Sequence, residues 1–130
     1  MANYTLNNDT IAALATPHGF GAIAVIRLSG KDAITVTEKV FYTKSLQQKK
    51  LAHKASHTAH FGLIYENEVI IDEVLVTIFK APKTYTGEEI VEISCHGSVF
   101  IQQQILQILY KHGARPAQAG EFTLRAFLKW

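Results

Sequence analysis

Between residues 57 and 79 the chain alternates apolar and polar side chains in two runs, His57 to Tyr65 and Val69 to Phe79, separated by the polar Glu66-Asn67-Glu68. Period-two alternation is strand patterning, and so short a polar break predicts an antiparallel hairpin. On the second run Ile70, Asp72, Val74, Val76 and Ile78 share one face, and Ile71, Glu73, Leu75, Thr77 and Phe79 share the other. The first, mostly aliphatic set is the predicted core face, with Asp72 as its exception. Further strands are predicted over Asp9 to Ala15, Ala22 to Leu28 and Ile90 to Cys95. The first two join through a link holding the turn formers Pro17, Gly19 and Gly21.

Helical spacing occurs in three places. Ala33, Val36 and Val40 recur at three- and four-residue steps, predicting a helix over about Asp32 to Phe41 with Ser29 as N-cap. Ile101, Ile105, Ile108 and Leu109 form one stripe of a helix over Ser98 to His112, with Gly113 placed as the glycine that ends it and Pro116 as a stop. A last helix opens at Thr123. The polar run Thr43 to Ser56 interrupts the pattern and reads as a mobile connection. Strands lead and helices fall between and after them, so the predicted fold is α+β, a mixed, largely antiparallel sheet with about three helices, forming one domain over residues 1–130.

Composition narrows the class. A chain of 130 residues that is 48% hydrophobic suits one compact domain, able to bury roughly two thirds of the surface its unfolded form exposes. Thirteen basic against eleven acidic residues give a net charge of +2, well short of the basic stripe that would by itself mark a nucleic-acid binder, and contact with RNA stays open. The apolar runs stop short of the ~18 residues of a membrane span. The single cysteine, Cys95, has no internal disulfide partner, and Met1 to Leu6 lack the charged start and apolar core of a signal peptide. The expected compartment is the cytoplasm.

Glu92 is the most informative side chain. Flanked by Val91 and Ile93, it shares a strand face with Ile90 and Ser94. A carboxylate on a covered face needs a partner, and its two parallel oxygens complement a heterocycle edge that offers an N–H beside an amino group, as pterins and guanines do. The alternatives are a solvent-facing acid or one paired with Arg27. Arg27, the only charge in the strand Ala22 to Leu28, needs an anionic or planar partner unless it emerges into solvent. If the two strands are neighbours facing one cavity, the pair can close when it is empty and address a ligand when it is full.

Other motifs carry less. Gly19-Phe20-Gly21-Ala22-Ile23-Ala24 has the letters of a dinucleotide fingerprint but opens a strand where that motif opens a helix, and Gly30-Lys31 lacks the glycine and the Ser/Thr of a phosphate-binding loop. His57 and His60 point to opposite faces of one predicted strand with no cysteine near, which argues against a metal. Cys95 and His96, adjacent on a strand, point apart, so the thiol reads as a small buried hydrophobe. Glu121 and Arg125 form an i,i+4 pair, with Glu121 read as a capping carboxylate at the helix start.

Four segments together, Asp9 to Pro17, Val25 to Gly30, Tyr85 to Gly97 and Gly120 to Leu128, resemble the N-terminal domain of the tRNA modification GTPase family MnmE, also called TrmE. The resemblance covers nearly the whole chain, in order and at matching spacing. It implies a fold similar to the folate-binding domain of the glycine-cleavage aminomethyltransferase and a site for a one-carbon tetrahydrofolate such as formyl-tetrahydrofolate, contacted by Arg27 and Glu92. It also implies a homodimer formed through this domain. In the full-length context it implies a flavoprotein partner, MnmG (GidA), and tRNA, whose wobble uridine is modified. Neither membrane nor DNA is among the implied partners. GTP, magnesium and potassium belong to a GTPase domain which, with the family's helical domain, lies outside this sequence. Two departures stand out. His96-Gly97-Ser98 replaces the family's histidine-glycine-glycine, and a lysine that contacts folate in the family, beyond Leu128, has no aligned counterpart. The expected function is to hold and orient the one-carbon donor. The alternatives are a free-standing folate-dependent aminomethyl or formyl transferase and a dimerisation scaffold with no ligand.

Overall fold

The computed structural model describes residues 9–16 and 21–129. Among these residues seven strands form one sheet: β1 (Ile11–Leu14), β2 (Ile23–Ser29), β3 (Phe41–Tyr42), β4 (Thr58–Glu66), β5 (Val69–Phe79), β6 (Ile90–His96) and β7 (Arg115–Pro116). Three helices accompany them: α1 (Ala33–Glu38), α2 (Val99–Lys111) and α3 (Glu121–Leu128). The strand order is β3-β4-β5-β6-β2-β1-β7. Every pairing is antiparallel except β1 with β7, so the fold is the expected α+β arrangement with a mixed, largely antiparallel sheet and three helices. The Pro17–Gly19 part of the predicted first link lies outside the described residues.

One face of the sheet is the core face. Ala24, Ile26 and Leu28 of β2, Val91, Ile93 and Cys95 of β6, and Val74, Val76 and Ile78 of β5 pack with Ile105 and Leu109 of α2 and Ala33 and Val36 of α1. At about 25 cal/mol per Å2 of apolar surface removed from water, each Val, Leu or Ile among them stabilises the fold by roughly 1.5–3 kcal/mol relative to remaining exposed. Ser98 caps α2 by accepting Ile101 N–H, and Gly113, at φ +122°, leaves the helix in a conformation that glycine adopts without strain. The hairpin turn is Asn67-Glu68, both at positive φ as a type I′ connection demands.

Four local expectations are corrected. A β-bulge sets Ile64 opposite Asp72 and Tyr65 opposite Ile70. The extra residue, Ile71, slips the alternation by one, so Ile71 rather than Ile70 packs on the core, and Ile70 is exposed. Ser29 does not cap α1, because its hydroxyl is bonded to Thr86 and Glu88 in the interior. The N-cap is instead Asp32, three residues later, whose N–H donates to Thr10 Oγ1, and the helix ends at Glu38, so that Phe41 turns into β3. Residues 43–56 are anchored rather than loose. The Glu38 carboxylate accepts the N–H groups of Leu51 and Ala52, Gln48 Nε2 donates to Glu38 O, and the Leu51 side chain is fully buried. Finally, α3 begins at Glu121, two residues before Thr123, after Gly120 at φ +75°.

Candidate functional site

Arg27 and Glu92 face each other across the β2–β6 ladder, in register. Strand alternation puts both on the face opposite the core, with Thr77 beside Glu92 on β5. Glu92 Oε2 accepts from Arg27 Nε at 2.9 Å and lies 2.8 Å from Nη2. Two nitrogens of the one guanidinium thus converge on one oxygen, and Oε1 has no partner among the described residues. The two side chains are each a little over a quarter exposed, so the pair sits at the floor of a depression rather than in bulk solvent.

Two clefts meet at Arg27. One, of about 360 Å3, is lined by Leu14, Ala15, Arg27, Tyr85, Phe122 and Thr123. The other, of about 440 Å3, is lined by Arg27, Glu92, Ile90, Phe79, Tyr85 and Lys83, with His57 at its far end. Tyr85 belongs to both and reaches over to α3, where its hydroxyl donates to Thr123 Oγ1 at 3.2 Å. The Arg27 guanidinium carbon lies 5.6 Å from the Phe122 ring centroid, within cation–π range. A planar ligand entering here meets aromatic walls, a guanidinium and a carboxylate with one oxygen to spare.

What holds α3 against the sheet is a charged network that the sequence pattern did not reveal. Arg125, 5% exposed, donates to Asp9 O at 2.6 Å, Asp9 Oδ1 at 2.9 Å and Glu88 Oε1 at 3.1 Å, and lies 3.4 Å from Glu121 Oε2. Glu121, 3% exposed, accepts Arg115 Nη2–H at 2.7 Å and Gln118 N–H at 2.9 Å. The predicted Glu121–Arg125 pair is therefore present. The capping role is not, since Glu121 takes no N–H of its own helix and instead bridges two arginines. Burial alone would raise the Glu121 carboxyl, but Arg115 and the Gln118 amide hold it below the ordinary value. Glu88, from the Thr-Gly-Glu-Glu turn, also accepts the Ser29 hydroxyl at 2.9 Å. The turn, the start of β1, the end of β2 beside it and α3 are thus tied together, and the tie sets Phe122 and Thr123 over the cleft.

The remaining sequence candidates fall elsewhere. Cys95 is buried on the core face, where burial pushes its thiol up to about 11. His96, exposed, holds Asp72 instead, with Nδ1 at 2.6 Å from Oδ1 and its N–H donating to Oδ2 at 2.8 Å, which is how the polar exception on the β5 core face is satisfied. His57 precedes β4 at φ +63° and so leaves the pleat that was predicted to carry it. Among the described residues no group of three or more His, Cys, Asp or Glu side chains is placed to hold a metal, and no helix is long and apolar enough to cross a membrane. Sequence reasoning missed Phe79, Tyr85, Phe122, Lys83 and His57 as cleft walls. The signal available for the first three was aromatic residues flanking the motifs that carry Glu92 and Glu121.

These features define an α+β domain with a cleft built around a cross-strand arginine–glutamate pair. Residues 10–129 match the family described as GTP-binding protein TrmE N-terminus, and the chain belongs to that family. Among curated relatives it is 57% identical over 123 residues to the tRNA modification GTPase MnmE of Flavobacterium johnsoniae, covering 95% of this chain and 26% of that protein. Against the MnmE of Christiangramia forsetii the identity is 58% over 121 residues, covering 93% and 25%. Against that of Lactococcus lactis it is 52% over 120 residues, covering 92% and 25%. The chain spans about a quarter of the length of these relatives, and corresponds to their N-terminal domain.

Proposed function

We propose that this domain binds a one-carbon tetrahydrofolate, formyl-tetrahydrofolate in the first instance, and presents it for modification of the wobble uridine of tRNA in the cytoplasm. The observation that carries the reading is the Arg27–Glu92 pair at the junction of two aromatic-walled clefts, with Glu92 Oε1 unengaged. The residues suit the ligand. A reduced pterin offers an N–H next to an amino group, which two carboxylate oxygens of Glu92 receive once Arg27 yields Oε2, and Phe79, Tyr85 and Phe122 supply apolar faces for its rings. The folate supplies a transferable one-carbon unit. This chain's residues bind and orient it, and hold the rings out of bulk water. The domain is similar in this reading to the folate-binding part of the glycine-cleavage aminomethyltransferase.

The same reading makes the domain a homodimer, working with a flavoprotein partner and tRNA when joined to GTPase machinery that uses GTP, magnesium and potassium. Ile23, Phe61 and Leu75 support self-association, since they stand exposed on the sheet face opposite the core. Isothermal titration with formyl-tetrahydrofolate tests the binding role. Tight binding lost in Glu92→Ala and Arg27→Ala supports it, and no binding by the parent leaves a scaffold. Turnover of the one-carbon unit without added protein points to the transferase. Sedimentation across concentration tests the dimer.

A further inference from the structure

The 440 Å3 cleft changes character along its length. The Arg27–Glu92 pair lines it from β2 and β6, Ile90 and Phe79 are cross-strand neighbours on β6 and β5, Lys83 and Tyr85 come from the loop after β5, and His57, on the far side of Phe79, precedes β4. The ends are carried by β2 and by the residue preceding β4, three strand spacings apart in the order β4-β5-β6-β2, or about 14 Å. A single bicyclic heterocycle does not fill that distance. Because Arg27 and Glu92 compensate each other, Lys83 leaves the cleft with an excess positive charge, and it has no acidic partner among the described residues.

His57 has the marks of a positioned group. Its backbone lies in the left-handed region at φ +63°, uncommon outside glycine, and is held there by its N–H donating to Ile78 O at 2.7 Å. Its ring packs edge-on against Phe79 at 5.1 Å. Nδ1 lies 2.8 Å from the Ser56 hydroxyl, which is itself fixed by accepting Lys80 N–H at 2.8 Å. With Nδ1 engaged, Nε2 is the nitrogen left for a ligand.

We propose that Lys83 and His57 form an anion subsite that takes the carboxylates of the glutamate tail of the folate, with the benzoyl ring lying over Phe79 and Ile90 and the pterin at Arg27 and Glu92. This rests on the folate reading of the cleft. Polar edge, apolar ring and anionic tail then meet an acid–guanidinium pair, an apolar floor and a cationic end in that order. Two carboxylates or more, as in a polyglutamate, gain more from the excess charge than one.

Titration calorimetry on this chain with a tetrahydropterin lacking the tail, formyl-tetrahydrofolate and its triglutamate separates the subsite from the site. The wild type is expected to bind the triglutamate most tightly and the pterin least. Lys83→Ala is expected to weaken folate binding by about fivefold while leaving pterin affinity unchanged, Lys83→Arg to retain it, and His57→Gly, which keeps the left-handed backbone, to weaken it to a smaller degree. If the wild type binds pterin and folates equally, or if Lys83→Ala leaves their ratio unchanged, the subsite is refuted and the folate reading stands. If the wild type binds neither, both fall.

Discussion

Arg27 and Glu92 are direct cross-strand partners, and the whole of their contact runs through one carboxylate oxygen, with Nε at 2.9 Å and Nη2 at 2.8 Å from Oε2. A pair of this exposure contributes little to stability, in the range of about 0–1 kcal/mol. Its arrangement matters more for ligand binding. Glu92→Ala is expected to leave the urea midpoint nearly unchanged and to weaken formyl-tetrahydrofolate binding by about 2 kcal/mol or more, since a charge-assisted two-point contact is lost. An unchanged affinity in calorimetry rules out the anchoring role.

The network under α3 predicts the opposite balance. Glu121 is buried between Arg115 and Arg125, so Glu121→Gln removes the countercharge while both guanidinium groups stay in place. A cost of about 3 kcal/mol is expected. Equilibrium urea denaturation measures it, and a loss below about 1 kcal/mol would show that Asp9 and Glu88 carry the network without Glu121.

Acid should unfold the chain through the same groups. Asp9 is held below the ordinary carboxylate range chiefly by hydrogen bonds from Arg115. Glu66, at the hairpin end, is held below it chiefly by Lys111. Glu121 is lowered despite its burial. Protons therefore bind the unfolded chain more readily than the folded one, so the stability these groups contribute is complete above the unfolded carboxylate pKa of about 4 and is lost as pH falls through their lower folded values. Urea midpoints measured between neutral pH and pH 3 should drop on the acid side, and Glu121→Gln should flatten the drop. An acid limb as steep in the variant as in the wild type would remove Glu121 from the explanation.

Much of this was legible in the chain because it is local. Alternation gave β4, β5 and β6, and the 3.6-residue stripe with Ser98 and Gly113 at its ends gave α2. Ser29 misled because a hydroxyl before a helix pattern reads as a cap, whereas Thr86 and Glu88, more than fifty residues away, compete for it and win. The bulge at Ile71 leaves no composition signal, since isoleucine is as apolar on either face. Strands β3 and β7 have only two residues each, too few to show a period. Arg27 and Glu92 stood out as lone charges in aliphatic runs. Asp9 and Glu88 did not, because each sits among polar neighbours, and the wider network around Arg115 and Arg125 stayed hidden because its contacts span up to 116 positions.

The buried thiol of Cys95 gives a chemical test of the core. With its pKa pushed up to about 11 by burial, little thiolate exists at pH 8, and the sulfur is shielded besides. Labelling by a disulfide reagent should be slow in buffer and fast in urea, with a rate in buffer that follows global opening. Rapid labelling of the native chain would mean that β6 opens locally.

Gly97, the glycine after β6, has no room for a side chain. A Cβ built there would lie 1.6 Å from Gly21 O, a backbone atom with no rotamer to yield. The chain passes so close because Gly97 N–H donates to Ala22 O at 3.3 Å, closing the β2–β6 ladder just where α2 begins. Gly97→Ala must therefore push β2 and β6 apart at the end opposite Ser29 and Ile90. Overpacking against backbone costs about 3 kcal/mol, and the expected result is that loss in urea denaturation. Because Arg27 and Glu92 lie four or more residues from the displaced end, ligand affinity at low temperature, where the variant is folded, should fall less than in Glu92→Ala. Equal losses of affinity in the two variants would mean that the ladder end and the cleft move as one unit.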